Sequence, residues 1–350
     1  MSVEGNQSKV TNVESMCKHF NDFFVKVGQS VSDSIQLAGT EKPVHDYLGP
    51  RVTQSIFLEP VTEGELLSLL DRQKTNKSPG ADFIHPKLLK DGKNIIVKPL
   101  AHIFNLSIVS GKFPNRMKIA RVIPIFKGGN TEDLSNYRPI SVLSAVSKLL
   151  ERLVASRVLK FLNKNAFFYN LQFGFRKNRS TKTAICEFTN FVYQQLEEGN
   201  INLGIFLDLK KAFDTVNHQN LCLKLEHSGI RGSALNWMKD YLTDRKQFVQ
   251  LGNTKSDYAN VTCGIPQGSI LGPLLFLIYV NDMQQALTHG TARLFADDTN
   301  ITYCGKNLNV PKTQAEIDMT SLIDWFKVNK LALDVKKSNF LIIRSHYKRV

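Results

Sequence analysis

The stretch RLFADDTNI, residues 293–301, sets two adjacent aspartates, Asp297 and Asp298, into an otherwise apolar run. Burying one carboxylate costs free energy, and burying two side by side costs more. Read with its flanks as ARLFADDTNITYC, the segment is two short strands joined at the aspartates. Two accounts of the pair compete. Aspartate is common in β-turns because its side chain bonds nearby backbone and tolerates unusual φ. A tight turn also aims both carboxylates out of one hairpin tip, which is what a cation site needs.

A second carboxylate bears on the choice. In GIFLDLKKAFDTVNH, residues 204–218, Asp208 stands where a nearly all-apolar strand leaves the core. Such a strand is expected to be central and covered on both faces, and strand ends hold catalytic side chains rigidly. The ordinary alternative is a helix N-cap, which suits Asp214 better still. Mg²⁺ is a hard cation that takes a few carboxylates plus substrate phosphates. Two such ions about 4 Å apart can activate a hydroxyl and stabilise a leaving oxygen in phosphoryl transfer. One carboxylate at a strand end and two at a neighbouring hairpin would suit, but spacing alone leaves the adjacency of the strands open.

Other segments could meet a ligand. CGIPQGSILGPLLF, residues 263–276, puts two glycines and a proline ahead of a helix. Such a turn lets backbone approach a ligand closely, and Gln267 can hydrogen-bond a base or sugar. An ordinary loop and helix start reads equally well. Lys127 and Arg138 flank a polar loop, and Arg176, Lys177 and Arg179 lie in GFRKNRS. Together these could hold phosphates, although any one alone reads as solvated loop charge.

The whole chain agrees with a polyanionic partner. Its 350 residues suggest two or so domains, 42% hydrophobic content supports a real core, and the net charge is +14. That excess points to nucleic acid before a membrane surface. Five scattered cysteines without CxxC spacing argue against a disulfide framework and fit a reducing intracellular compartment. The eight histidines form no HxxxH pair, so zinc has little support. The N-terminus, MSVEGNQSKVTN, is polar and not a signal peptide. The longest apolar run, SILGPLLFLIYV, is shorter than a membrane span and is read as a buried helix, 270–287.

Along the chain, CKHFNDFFVKVGQSV reads as an amphipathic helix followed by linker. Thr62 and Glu65 suggest a capping box before a leucine-rich helix. KPLAHIFNLSIVSGKFP reads as a helix with Pro99 near its start and Gly111 past its end. ARVIPIFK reads as a strand that Pro124 confines to a sheet edge. SVLSAVSKLLERLVASRVLKFL reads as a helix. QFVQLGNTKSDYANVTCG reads as a hairpin turning around Asn253 to Asp257. A helix over 312–329 and a last β segment follow. Strands not evenly interleaved with helices give an α+β class rather than a doubly wound dinucleotide fold.

Six stretches together carry a resemblance. ARVIPIFKGGNTEDLSNYRPISVLSAVSKLLE, QFGFRKNRST, FLDLKKAFDTVNH, GIPQGSILGPLLFLIYVND, FADDT and WFKVNKLALDVKKS stand in this order. They resemble the reverse transcriptase of non-LTR (LINE-type) retrotransposons, most like jockey and CR1-type elements, over residues 60–340. The resemblance implies a right-hand polymerase with fingers mainly over 59–200 and palm mainly over 201–350, the palm an antiparallel sheet with helices. The thumb is expected to be largely missing, no endonuclease domain is expected before residue 60, and residues 1–58 are expected to be a leader or linker.

The resemblance also assigns residues. Asp208, Asp297 and Asp298 match the metal-binding aspartates, for two Mg²⁺ ions with Mn²⁺ as an admissible substitute. Phe213 matches the aromatic gate that crowds a 2′-hydroxyl; the ordinary reading is a core aromatic, and it can be both. Gln267 matches a glutamine near the incoming nucleotide and template. Lys127 and Arg138 match finger residues on the triphosphate. Lys337 matches a lysine proposed to protonate leaving pyrophosphate, with Lys336 one place away. Arg176 matches a nucleic-acid-facing position. Asp334 stands where the family usually has asparagine.

The implied reaction is template-directed addition of dNTPs to a DNA primer on an RNA or DNA template, RNA in the main reading, with no membrane partner. The nucleus is expected from the family, with the cytoplasm as the alternative. The competing readings are an inactive truncated remnant that only binds nucleic acid, and a metal-dependent nuclease. The nuclease leaves Phe213 and the PQGS loop unexplained.

Overall fold

The computed structural model describes residues 12–37, 39 and 41–345. The polar segment 1–11, read above as no signal peptide, lies outside the described residues. The helices are α1 (Val13–Asp33), α2 (Glu63–Asp71), α3 (Pro86–Asp91), α4 (Lys93–Ser110), α5 (Ala145–Lys164), α6 (Thr181–Glu197), α7 (His218–His227), α8 (Ser233–Leu242), α9 (Leu271–Val280) and α10 (Asn309–Val328). The strands are β1 (Ile119–Phe126), β2 (Tyr137–Val142), β3 (Ile201–Leu207), β4 (Arg245–Leu251), β5 (Thr254–Lys255), β6 (Ala259–Val261), β7 (Thr291–Phe295), β8 (Asp298–Gly305) and β9 (Asn339–Ile343). The class is α+β.

The chain divides into two compact units, each gathered from separate segments. The first takes the N-terminal residues up to Ser30, Thr53–Lys164 and Gly229–Gly272. The second takes Val31–Val52, Asn165–Ser228 and the residues from Pro273 onward.

The first unit holds a mixed sheet in the order β2-β1-β4-β5, with β6 also paired to β4. Strands β1 and β4 run parallel, Ile119–Val122 against Lys246–Val249, while β1 and β2 are antiparallel. β1 is therefore internal, not an edge strand. Pro124 is tolerated because the pairing with β4 ends at Val122, two residues before the proline's missing N–H. The core includes Phe20 and Phe24 of α1 against Ala120, Val122, Leu143 and Val249. Thus α1, from the stretch read as leader, packs into this sheet's core.

Four local features differ from or sharpen the sequence reading. Thr62 Oγ1 accepts from the Glu65 N–H, but the Glu65 carboxylate turns away to pair with Arg157, so the box is half made. Pro99 lies inside α4, which begins at Lys93; the apolar run from Ile95 starts the helix early. Gly111 closes α4 in the left-handed conformation, φ 64°. The β4 hairpin turns at Gly252–Asn253, ahead of the expected place, because Gly252 supplies a positive φ.

The second unit holds an antiparallel sheet in the order β7-β8-β3-β9. β3 is internal, as its apolar run predicts. Its alternating side chains meet helices on opposite faces. The Phe206 ring meets Phe188 of α6, while Leu203 and Ile205 line an apolar pocket with Ala315, Met319 and Ile323 of α10. The long apolar run gives α9, which ends at Val280 and passes into a 3-10 turn, Met283–Ala286, instead of continuing to 287. Among the described residues no helix is long and apolar enough to cross a membrane. Among the described residues, the five cysteines form no disulfide.

Candidate active site

The aspartate hairpin is tighter than its sequence suggests. Phe295 pairs directly with Asp298, so the turn itself is Ala296–Asp297 and Asp298 opens β8. Ala296 has φ 60°, as the first central residue of a primed hairpin turn requires. A non-glycine residue is strained there.

The register settles what spacing left open. β3 and β8 pair from Ile201↔Gly305 to Leu207↔Thr299. The next residue on each strand is Asp208 and Asp298, so the two carboxylates leave the sheet side by side. The Asp298 carboxyl is pushed up by partial burial first, then by the charges of Asp297 and Asp208. Like charges held this close disfavour each other's ionised forms.

The chain around 332–338 wraps Asp208. Its backbone N–H donates to Ser338 Oγ at 3.3 Å, and its carbonyl accepts from the Asp334 N–H at 2.8 Å. The Lys210 N–H donates to the Ala332 carbonyl at 2.8 Å. This clamp brings Lys337 Nζ to 3.2 Å from Asp208 Oδ2 and 3.3 Å from Asp334 Oδ2. The hydrogen bond to Asp208 raises the Lys337 pKa, followed by the charge of Asp208 and the bond to Asp334. Of the two lysines, Lys337 is thus the one on the aspartate. Asp334, the departure from the family pattern, is its second anchor.

Phe213 sits in a turn closed by the Asp214 and Thr215 N–H groups on the Lys211 carbonyl. Its ring stacks on buried Phe276, centroids 4.5 Å apart at 18°. Arg176 lies over the Phe168 ring at 4.5 Å, and burial, then Arg179, lowers its pKa. Its Nη1 has no hydrogen-bond partner among the described residues. Asp208, Phe213, Arg176, Asp297, Asp298 and Lys337 all belong to the second unit.

Lys127, Arg138 and Gln267 belong to the first unit. Lys127 follows β1 and Arg138 faces Ile125 across the β1–β2 pair; both are exposed. The Gln267 carbonyl accepts from the Ser141 N–H at 2.8 Å, pinning the PQG turn beside the end of β2. Gly268 follows at φ 121°, and a Cβ there would lie 2.5 Å from the Ser141 carbonyl oxygen. Only glycine lets the turn come this close.

The donor set suits a divalent cation in kind. Three carboxylates offer hard oxygens, and their repulsion is what a cation relieves. Among the described residues, no three His, Cys, Asp or Glu side chains are gathered closely enough to hold an ion by themselves. Substrate phosphates commonly supply the rest of such a shell.

Comparison with known proteins identifies the family. The profile of the family described as "Reverse transcriptase (RNA-dependent DNA polymerase)" matches residues 125–348. The chain belongs to that family. It is 32% identical over 243 residues to the Drosophila melanogaster "RNA-directed DNA polymerase from mobile element jockey", covering 69% of this chain and 26% of the relative. It is 30% identical over 302 residues to the "Probable RNA-directed DNA polymerase from transposon BS" of the same organism, covering 83% and 33%. A third relative, the "Probable RNA-directed DNA polymerase from transposon X-element", is 32% identical over 263 residues. The chain spans about a third or less of the length of these relatives.

Proposed function

We propose that this chain is the polymerase part of a non-LTR retrotransposon reverse transcriptase, extending a DNA primer with dNTPs on an RNA template. The observation that carries this reading is the β3–β8 register, which sets Asp208 beside Asp298 and the Asp297 turn. In this reading the fingers lie mainly over 59–200 and the palm mainly over 201–350.

Asp208, Asp297 and Asp298 would hold two Mg²⁺ ions, or Mn²⁺ in their place. Such ions, when bound, lower the pKa of a primer hydroxyl and neutralise phosphate charge. Lys337 fixes Asp208 through its ion pair and holds a proton on Nζ for a departing phosphate oxygen. Phe213, backed by Phe276, presents a ring edge to the sugar and excludes a 2′-hydroxyl. Lys127 and Arg138 are exposed cations suited to triphosphate oxygens, and Gln267 suits a base or sugar. Arg176, a loop cation set over the Phe168 ring, suits a nucleic-acid phosphate. Backbone contacts of this kind make binding salt-dependent and largely sequence-blind. Work on chromosomal targets would place the protein in the nucleus.

Primer extension on an RNA template with dNTPs and Mg²⁺ tests this. Extension is expected from the unaltered chain and falls to background in Asp297→Asn. Binding of template–primer with no extension, under conditions where a relative extends, would overturn the reading.

A further inference from the structure

The motif QFGF, Gln172–Phe175, has no role in the polymerase reading, yet it touches both parts of the second unit's site. Gln172 is buried, with 2% exposure. Its Oε1 accepts from the Gly174 N–H at 2.8 Å and from the Ala296 N–H at 3.1 Å. Two donors converging on one atom fix the amide's orientation, because a flipped amide would set N–H against N–H. The second donor belongs to the strained turn residue immediately before Asp297. The Phe173 N–H donates to the Leu294 carbonyl at 2.7 Å and the Leu294 N–H to the Leu171 carbonyl at 2.9 Å, so the motif is laced along β7. A Cβ on Gly174 would lie 2.2 Å from the Ala296 nitrogen, so the approach depends on glycine.

The motif's other end reaches the gate. Phe175 is 56% exposed and holds φ 53°, an unusual conformation for a bulky residue. That backbone carries its ring edge-on to Phe213, centroids 6.4 Å apart at 88°. Phe213 is thus held between Phe276 beneath and Phe175 at its side.

We propose that Gln172–Phe175 is a brace for the active site. Gln172 is a positioning residue for the turn that carries Asp297. Phe175 is a specificity-determining residue that holds the Phe213 ring against displacement by a ribose 2′-hydroxyl. This rests on reading the site as a polymerase.

Two measurements test it separately from that reading. In amide hydrogen exchange on the full chain, Gln172→Leu is expected to expose the Ala296 and Gly174 amides while Gln172→Glu, which keeps the acceptor, protects them. Phe175→Ala is expected to speed exchange over Lys211–Thr215, and Phe175→Tyr is not. A purely structural loss would raise exchange throughout the unit, and that result overturns the brace. In primer extension, Phe175→Ala is expected to cut the preference for dNTP over rNTP by roughly 2- to 10-fold, the size an edge-to-face aromatic pair supplies. Phe175→Tyr restores the preference, and Phe213→Ala cuts it further. Equal losses of kcat for both sugars with the preference unchanged would overturn the role of Phe175. If the unaltered chain extends no primer, the polymerase reading fails and the exchange experiment still decides the brace.

Discussion

Lys337 shows how a single charge is placed. Its ammonium stands between Asp208 and Asp334 because the clamp on Asp208 sets the 334–338 turn in position. Lys336, one residue away, has the same side chain without that placement. Lys337→Met is therefore expected to slow extension by roughly 10²-fold or more, the scale of a lost general acid, while Lys336→Met has little effect. Single-turnover extension rates decide between them. At this scale the candidate aspartates are readable because each interrupts an apolar run. Gln172 is not, because the hydrogen bond that gives it meaning reaches Ala296, far along the chain. Its sequence cue is a glutamine two residues before a glycine, a pattern that suits any ordinary loop. Asp334 reads as a harmless departure, and its pairing with Lys337 is visible only once the turn is folded.

Among elements, the start of α9 shows the cost of bringing charge inside. Glu151 of α5 has 0% exposure. Its Oε2 accepts from the Ile270 N–H at 2.7 Å and the Leu271 N–H at 3.3 Å, and its Oε1 from Ser147 Oγ at 3.0 Å. The carboxylate caps the helix from outside its own sequence, at an end where negative charge is favoured. Glu151→Ala would strand those donors in the interior, at a cost of about 3 kcal/mol. A lower urea midpoint with an unchanged slope is the expected result, and Glu151→Gln should lose less. Helix and strand types are readable from periodicity, but prolines mislead in both directions. Pro124 points to an edge and Pro99 to a helix start, since each rule speaks only of one missing N–H. Where the neighbouring strand ends, and how early an apolar run begins, are set by packing.

In the molecule as a whole, polar groups sealed inside both units set an alkaline limit. Tyr241 in the first unit and Tyr279 and Tyr303 in the second are 0%, 0% and 1% exposed. Burial is the first cause raising each phenol above its usual value, and Tyr169 is pushed up to about 12. A pKa higher in the folded than the unfolded chain means stability that is full below the unfolded value, near 10, and lost as pH rises toward the folded value. Thermal unfolding should hold steady below about pH 9.5 and fall steeply above it. The part of the phenolate absorbance that comes from these buried tyrosines should rise together with the loss of circular dichroism, not before it. The α+β class and a basic net charge are legible in composition and pattern. The grouping into two units is not, because each collects segments that lie far apart in sequence.

That grouping also sets the order in which the site comes into being. β3 is internal only because β8 and β9 flank it, and residues 208–338 separate it from β9. At about 5–20 residues per second, synthesis of that interval takes on the order of 10 s. Throughout it, the strand leading to Asp208 keeps at least the edge that β9 will fill bare, and bare strand edges invite mispairing. Lys337 arrives only with the turn that precedes β9. These charges therefore come together only after residue 337 has been made, and a nascent chain halted before it carries its aspartates with no lysine to meet them.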